Sequence, residues 1–145
     1  MILRLLSAAL AAGFLAREDA AELLLVGAGR VAALVPAAYR VVRPIRRVRV
    51  WNRGAARADA LVASLRADGF EAERADDLEA AVRRADAVSC ATLSTEPPVR
   101  GAWLRPGTHL DLIGAFTPAM READAEAVRR ARKLERKRAE REGAR

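Results

Sequence analysis

The sequence predicts an α/β fold built on a doubly wound parallel sheet of about five strands. Three observations carry that prediction. Apolar segments of strand length alternate with helical segments through most of the chain. The first, Leu23-Leu24-Leu25-Val26, runs straight into Gly27-Ala28-Gly29-Arg30-Val31-Ala32. A second strand-like segment, 46–51, then begins where a βαβ unit requires it. Alternation of this kind makes a parallel sheet covered on both faces. Right-handed crossovers place the strands in the order 3-2-1-4-5, a Rossmann-like arrangement. Ligands of such sheets sit where the strand order reverses, at the carboxyl ends of strands 1 and 4.

A chain of 145 residues holds one domain of this kind, and 52% hydrophobic content suffices for its core. Only 4% of residues are aromatic, so Ala, Leu and Val must fill that core. Cys90 is the single cysteine and His109 the single histidine, which excludes an internal disulfide and a structural zinc site. The formal charge of +7 is concentrated at one end. Residues 129–145 carry a net +6, leaving +1 for the first 128. A nearly neutral body with a basic tail does not read as a nucleic-acid binder, and no apolar run is long enough to span a bilayer. The expectation is a cytoplasmic protein with no metal, no nucleic-acid partner and no membrane partner.

Residues 1–16 carry one arginine, Arg4, near the front of a largely apolar run. Such a run fits a secretory signal or a buried or partner-facing helix, and the helix is preferred because a strand follows within a few residues. The first strand is 22–26, and its helix, 30–42, is closed by Arg43-Pro44. Strand 46–51 precedes a helix over 54–67 that Asp68-Gly69 ends. A short strand over 70–74 leads to Asp76-Asp77, an N-cap signal, and a helix reaching Arg84. Residues 86–92 read as a buried strand, Pro97-Pro98 forces a loop, and 109–113 is the fifth strand. A helix over 118–132 follows. The organisation is thus a leading helix (1–20), a dinucleotide-binding domain (21–132) and a charged tail (133–145).

Gly27 permits a tight strand-to-helix turn, Gly29 lets a phosphate approach the main chain, and Ala32 keeps helix and strand close. The N–H groups around Ala28, Arg30 and Val31 then face the anion with the positive end of the helix dipole. At the end of the second strand, where a carboxylate would hold the ribose hydroxyls of NAD, the chain has Asn52-Arg53. Arg53 suits a 2′-phosphate and Asn52 a ribose or phosphate, so NADP(H) is favoured, with NAD(H) as the other option. Thr92, Leu93 and Ser94 leave strand 4 on the same edge. Their hydroxyls either line the nucleotide or satisfy the turn's own backbone. Cys90 reads as a buried strand residue, since His109 lies at the opposite end of its strand and no base is placed to activate the thiol. Asp111 faces either a neighbouring element or the site, and Thr117 is a candidate cap for the last helix. No catalytic residue is identified.

The segments Val26–Ala32, Arg43-Pro44-Ile45 with Val50-Trp51-Asn52-Arg53, Ala85–Thr95 and Pro106–Glu122 resemble the nucleotide-binding domain of the ornithine cyclodeaminase/mu-crystallin family. The likeness runs over about residues 8–131, and the last two segments are the most specific. Arg30-Val31-Ala32 and Gly114-Ala115-Phe116-Thr117-Pro118 look most like the branch of reductases acting on pyrroline-2-carboxylate and piperideine-2-carboxylate. The resemblance implies reduction of a cyclic imino acid with NADPH or NADH. It also implies a substrate-binding, dimerising region before the Rossmann domain, completed by a C-terminal segment. The chain has no counterpart for that region's arginine and lysines, so a truncated form is expected, active on an imino acid only where a substrate region is supplied. The family's cyclodeaminases carry an aspartate shortly after strand 5, where Phe116 and its neighbours stand here. The alternatives are a non-catalytic NADPH-binding or interaction protein, or a fragment of an NAD-dependent ornithine cyclodeaminase. An unpaired sheet edge and an apolar first helix imply a homo-oligomer.

Overall fold

A computed structural model describes residues 2–115, 117–131 and 143. The elements are α1 (Ile2–Leu15), β1 (Glu22–Val26), α2 (Arg30–Val42), β2 (Arg47–Trp51), α3 (Ala55–Ala67), β3 (Glu71–Arg74), α4 (Leu78–Arg84), β4 (Ala87–Cys90) and β5 (His109–Leu112). All strand pairings are parallel and the order is β3-β2-β1-β4-β5, as the alternation predicted. The architecture is Rossmann-like.

Side chains alternate across the pleat, so each central strand feeds two cores. Leu23, Leu25, Val48, Val50 and Ala87 pack with residues of α1, α2 and α3, including Ala12, Val35, Tyr39 and Leu61. Leu24, Val26, Val88 and Cys90 pack on the other face with Ala81 and Val82 of α4 and with Ala127. A sheet buried on both sides needs continuous apolar runs, and Leu23–Val26 is such a run.

Polar anchors hold the amino ends of the strands. Asp86 accepts N–H bonds from Ala21 and Glu22, both 3.0 Å, and pairs with Arg17 at 2.6 Å. Burial pushes its carboxyl up, but the two backbone donors and the cations of Arg17 and Arg105 outweigh that and leave it below the usual range. Arg43 donates to the carbonyls of Gly13 and Ala16, each at 2.8 Å, and of Val42 at 2.6 Å. It therefore ties the last turn of α1 to the end of α2.

Several boundaries differ from the sequence reading. The first helix stops at Leu15 rather than about 17, with Ala20 N–H turning back onto Arg17. β4 ends at Cys90 rather than 92, because Thr92 gives its N–H to a side chain instead of a neighbouring strand. The last helix begins at 125, not 118. Pro118 lies in a turn closed by Met120 N–H on the Thr117 carbonyl, and Ala123 makes a parallel bridge with Val99. The cap is Asp124, whose Oδ1 accepts from Ala127 N at 3.1 Å and from Gly101 N at 2.9 Å. Thr117 therefore does not cap that helix. Asp77 does cap α4 as expected, accepting from Ala80 N at 3.0 Å. Phe116 and most of the basic tail lie outside the described residues. Among the described residues no helix is long and apolar enough to cross a membrane.

Candidate functional site

The carboxyl ends of β1, β2 and β4 meet on one edge, and the turn after β1 is its centre. Gly27 adopts φ +113° with its N–H on the Trp51 carbonyl at 2.8 Å. A side chain there would be strained and would run into the Ala91 carbonyl oxygen, so glycine is required twice over. Ala28 packs partly into the core behind the turn. Gly29 is the N-cap of α2 and makes no side-chain cap bond; a Cβ placed on it would meet nothing within 4 Å. Its freedom from Cβ keeps clear space above the first turn of α2, where Arg30 and Val31 present their N–H groups. Arg30 is exposed and Val31 half-buried.

Asn52 and Arg53 follow β2. The Asn52 amide donates to the Gly54 carbonyl at 3.0 Å, bracing the entry to α3. Arg53 is exposed and donates from Nη2 to Ser94 Oγ at 3.1 Å. That bond joins the β2 end to the segment leaving β4 across the top of β1. Ser94 Oγ in turn donates to the Glu96 carbonyl at 2.5 Å, so one of its hydroxyl roles is the turn-satisfying one. Leu93 between them is 70% exposed. The structure thus gathers Gly27 to Val31, Asn52, Arg53 and Thr92 to Ser94 on a single edge. Arginines and free helix N–H groups make it receptive to anions.

The sequence reading assigned no role to Glu122. Its side chain is 2% exposed and accepts four hydrogen bonds. Thr92 N and Thr92 Oγ1 donate to Oε1 at 2.6 and 3.0 Å, and Gly114 N and Ala115 N donate to Oε2 at 2.9 and 3.3 Å. Burial pushes this carboxyl above its ordinary value, opposed by those donors. A lone acid inside a segment read as helix gives no sign of such a role. Gly114 is the complement of this knot, since a Cβ there would collide with Thr92 backbone and the Glu122 carboxylate.

The other candidates lie apart. Cys90 is fully buried beside Val26, and burial together with the Glu122 charge pushes its thiol well above the ordinary value. His109 is at the amino end of β5, and its Nε2 lies 3.1 Å from Asp111 Oδ1. Burial, with the nearby Arg43 charge, lowers the histidine's pKa, and burial raises that of Asp111 to about 7. Asp111 faces a neighbouring element, lining a hollow with Leu3, Arg4, Ser7 and Ala8 of α1, and its Oδ2 accepts no hydrogen bond; the buried hydroxyls of Tyr39 and Ser89 likewise have no hydrogen-bond partner. Among the described residues no group of His, Cys, Asp and Glu could hold a metal.

The model of the ornithine cyclodeaminase/mu-crystallin family matches residues 6–144. The chain belongs to that family. A delta(1)-pyrroline-2-carboxylate reductase of Paracoccus denitrificans is 53% identical over 125 residues, which are 84% of this chain and 39% of that protein. The delta(1)-pyrroline-2-carboxylate reductase of Thermococcus litoralis, solved with NADH and L-proline, superposes with a TM-score of 0.83 at 30% identity. The match covers 87% of this chain and 40% of that one. An archaeal alanine dehydrogenase dimer with bound NAD gives a TM-score of 0.80 at 29% identity, covering 85% and 38%. This family member therefore spans about two fifths of the length of relatives that it matches.

Proposed function

We propose that the chain is the dinucleotide-binding unit of a cyclic-imine reductase, with NADP(H) preferred over NAD(H). The observation that carries this reading is the contact between Arg53 and Ser94 beside the open first turn of α2. In the proposed complex Gly27, Ala28, Gly29, Arg30 and Val31 hold the pyrophosphate through backbone N–H groups. Asn52 offers its side-chain oxygen to the ribose, and Arg53 pairs with the 2′-phosphate through donors other than the one given to Ser94. Thr92, Leu93 and Ser94 border the nucleotide on the β4 side, Leu93 with exposed apolar surface. When bound, the nicotinamide supplies the hydride, and the protein's part is to bind and orient.

Pyrroline-2-carboxylate is the named substrate of the reductases above, and a cyclic imino acid is the proposed substrate here. Its binding is assigned to a substrate region supplied by other sequence, because the described groups of this edge are taken up by the nucleotide in the proposed complex. The protein is proposed to self-associate and to work in the cytoplasm.

Titration of NADPH and NADH fluorescence against wild-type and Arg53→Ala protein tests the cofactor assignment. A charged hydrogen bond is worth ~1.5–3 kcal/mol, so the variant should lose about 10- to 100-fold in NADPH affinity with little change for NADH. Unchanged NADPH affinity overturns the 2′-phosphate role, and failure to bind either nucleotide overturns the reading. With pyrroline-2-carboxylate and NADPH the chain alone should give no turnover above background.

A further inference from the structure

The Glu122 carboxylate lies in a chain of contacts that ends at Arg53. It takes both donors of Thr92, and Thr92 Oγ1 accepts in turn from Ser94 N at 3.4 Å. The residue before it, Arg121, donates its N–H to the Ser94 carbonyl at 2.7 Å. Ser94 is thus gripped at its N–H by Thr92 and at its carbonyl by Arg121, and its hydroxyl receives Arg53 Nη2. On its other oxygen Glu122 holds Gly114 and Ala115, so the exits of β4 and β5 are fastened to one buried group. Strand exits otherwise wander, because loops carry few packed contacts.

We propose that Glu122 is a positioning residue for cofactor choice: it fixes the Thr92–Ser94 segment so that Ser94 holds the Arg53 guanidinium at the end of β2. This rests on the assignment of Arg53 to the 2′-phosphate. Arginine is a long, rotamer-rich side chain, and an exposed one loses entropy when it is ordered on a ligand. A preset guanidinium has already met that cost, and the gain goes only to the ligand that carries the extra phosphate. Glu122 reaches no ligand itself. A carboxylate is suited to the task because four donors converge on it and it has only acceptors to offer. Glutamine keeps the shape but turns an NH2 group toward either Thr92 or the Gly114–Ala115 pair, setting donor against donor.

The test uses the whole chain as wild type, Glu122→Gln and Ser94→Ala, the last being a small change at the partly exposed end of the relay that keeps the trial valid if the first misfolds. Without nucleotide, the Arg53 Nη2–H resonance, which reports the bond to Ser94 Oγ, should be sharp in wild type and should broaden in both variants. A sharp signal in Glu122→Gln with a broadened one in Ser94→Ala overturns the relay, whatever the chain binds. With nucleotide, the ratio of NADPH to NADH affinity should fall by up to about tenfold in both variants, the value of one ordinary hydrogen bond. A ratio equal to wild type overturns the role in cofactor choice while leaving dinucleotide binding standing. Wild type binding neither nucleotide overturns the proposed function and this role with it, and the resonance then decides the relay alone.

Discussion

Asp111→Asn is the perturbation whose size follows most directly from the structure. The side chain is 8% exposed on β5, with Oδ2 unpartnered and Oδ1 3.1 Å from His109 Nε2. Burial raises its carboxyl from 3.8 to about 7. A group that holds its proton more tightly in the folded chain stabilises that chain at low pH. For Asp111 the cost of the buried charge is absent below 3.8, grows between 3.8 and about 7, and is fully present above about 7. At about 1.36 kcal/mol per pH unit that gap amounts to about 4 kcal/mol. Asparagine has the same outline, carries no charge, and keeps an oxygen to accept from neutral His109. The variant should therefore be more stable than wild type at pH 8.5 by up to about 4 kcal/mol, with the two curves converging toward pH 4. Urea unfolding followed by the fluorescence of Trp51 and Trp103 across that range measures the difference directly. A constant gap between the two proteins at every pH, or a less stable variant at pH 8.5, would refute the argument.

Gly27→Ala meets both a left-handed backbone and the Ala91 carbonyl. It should cost at least about 1–3 kcal/mol, read as a lowered melting temperature, and should remove nucleotide binding with it. The outer face of α1 carries Leu3, Leu6, Leu10 and Phe14, exposed by 76, 58, 62 and 79%. Leu10→Lys with Phe14→Lys should shift the protein toward monomer on size-exclusion chromatography without lowering its melting temperature. A wild type that is already monomeric at high concentration defeats that expectation.

Elements that announce themselves by local chemistry were legible before any coordinates. The run Leu23–Val26, the glycines after it and Asp77 as a cap all act within a few residues of themselves, and the strand order follows from crossover handedness. What escaped is what depends on partners far along the chain. β4 stops two residues early because Glu122, thirty positions on, takes the N–H of Thr92. The helix expected from 118 waits until 125 because Val99 and Gly101 recruit Ala123 and Asp124 first. Asn52 was read for its ligand chemistry, yet its amide serves Gly54, a short-range use that the sequence permits but does not demand. The bond from Arg53 to Ser94 spans 41 positions and has no local signature at all.

Two hydrogen-bonded carboxylates at opposite ends of the strands, the partly buried Asp86 and the buried Glu122, have a joint consequence. Asp86 receives the amides of Ala21 and Glu22 where β1 begins, and Glu122 receives those of Thr92, Gly114 and Ala115 where β4 and β5 end. Amides in connecting segments ordinarily trade their hydrogens with water quickly, whereas each of these is sealed against a carboxylate. The slowest-exchanging part of the molecule therefore reaches past the strands into the turns at either end. Acid acts with opposite sign at the two ends. Asp86 binds its proton less tightly in the folded chain, so its stabilising contribution is lost as the pH falls through its lowered pKa, whereas Glu122 binds its proton more tightly in the folded chain and brings no such loss. On acidification the molecule should loosen from its amino edge, while the carboxyl edge still holds.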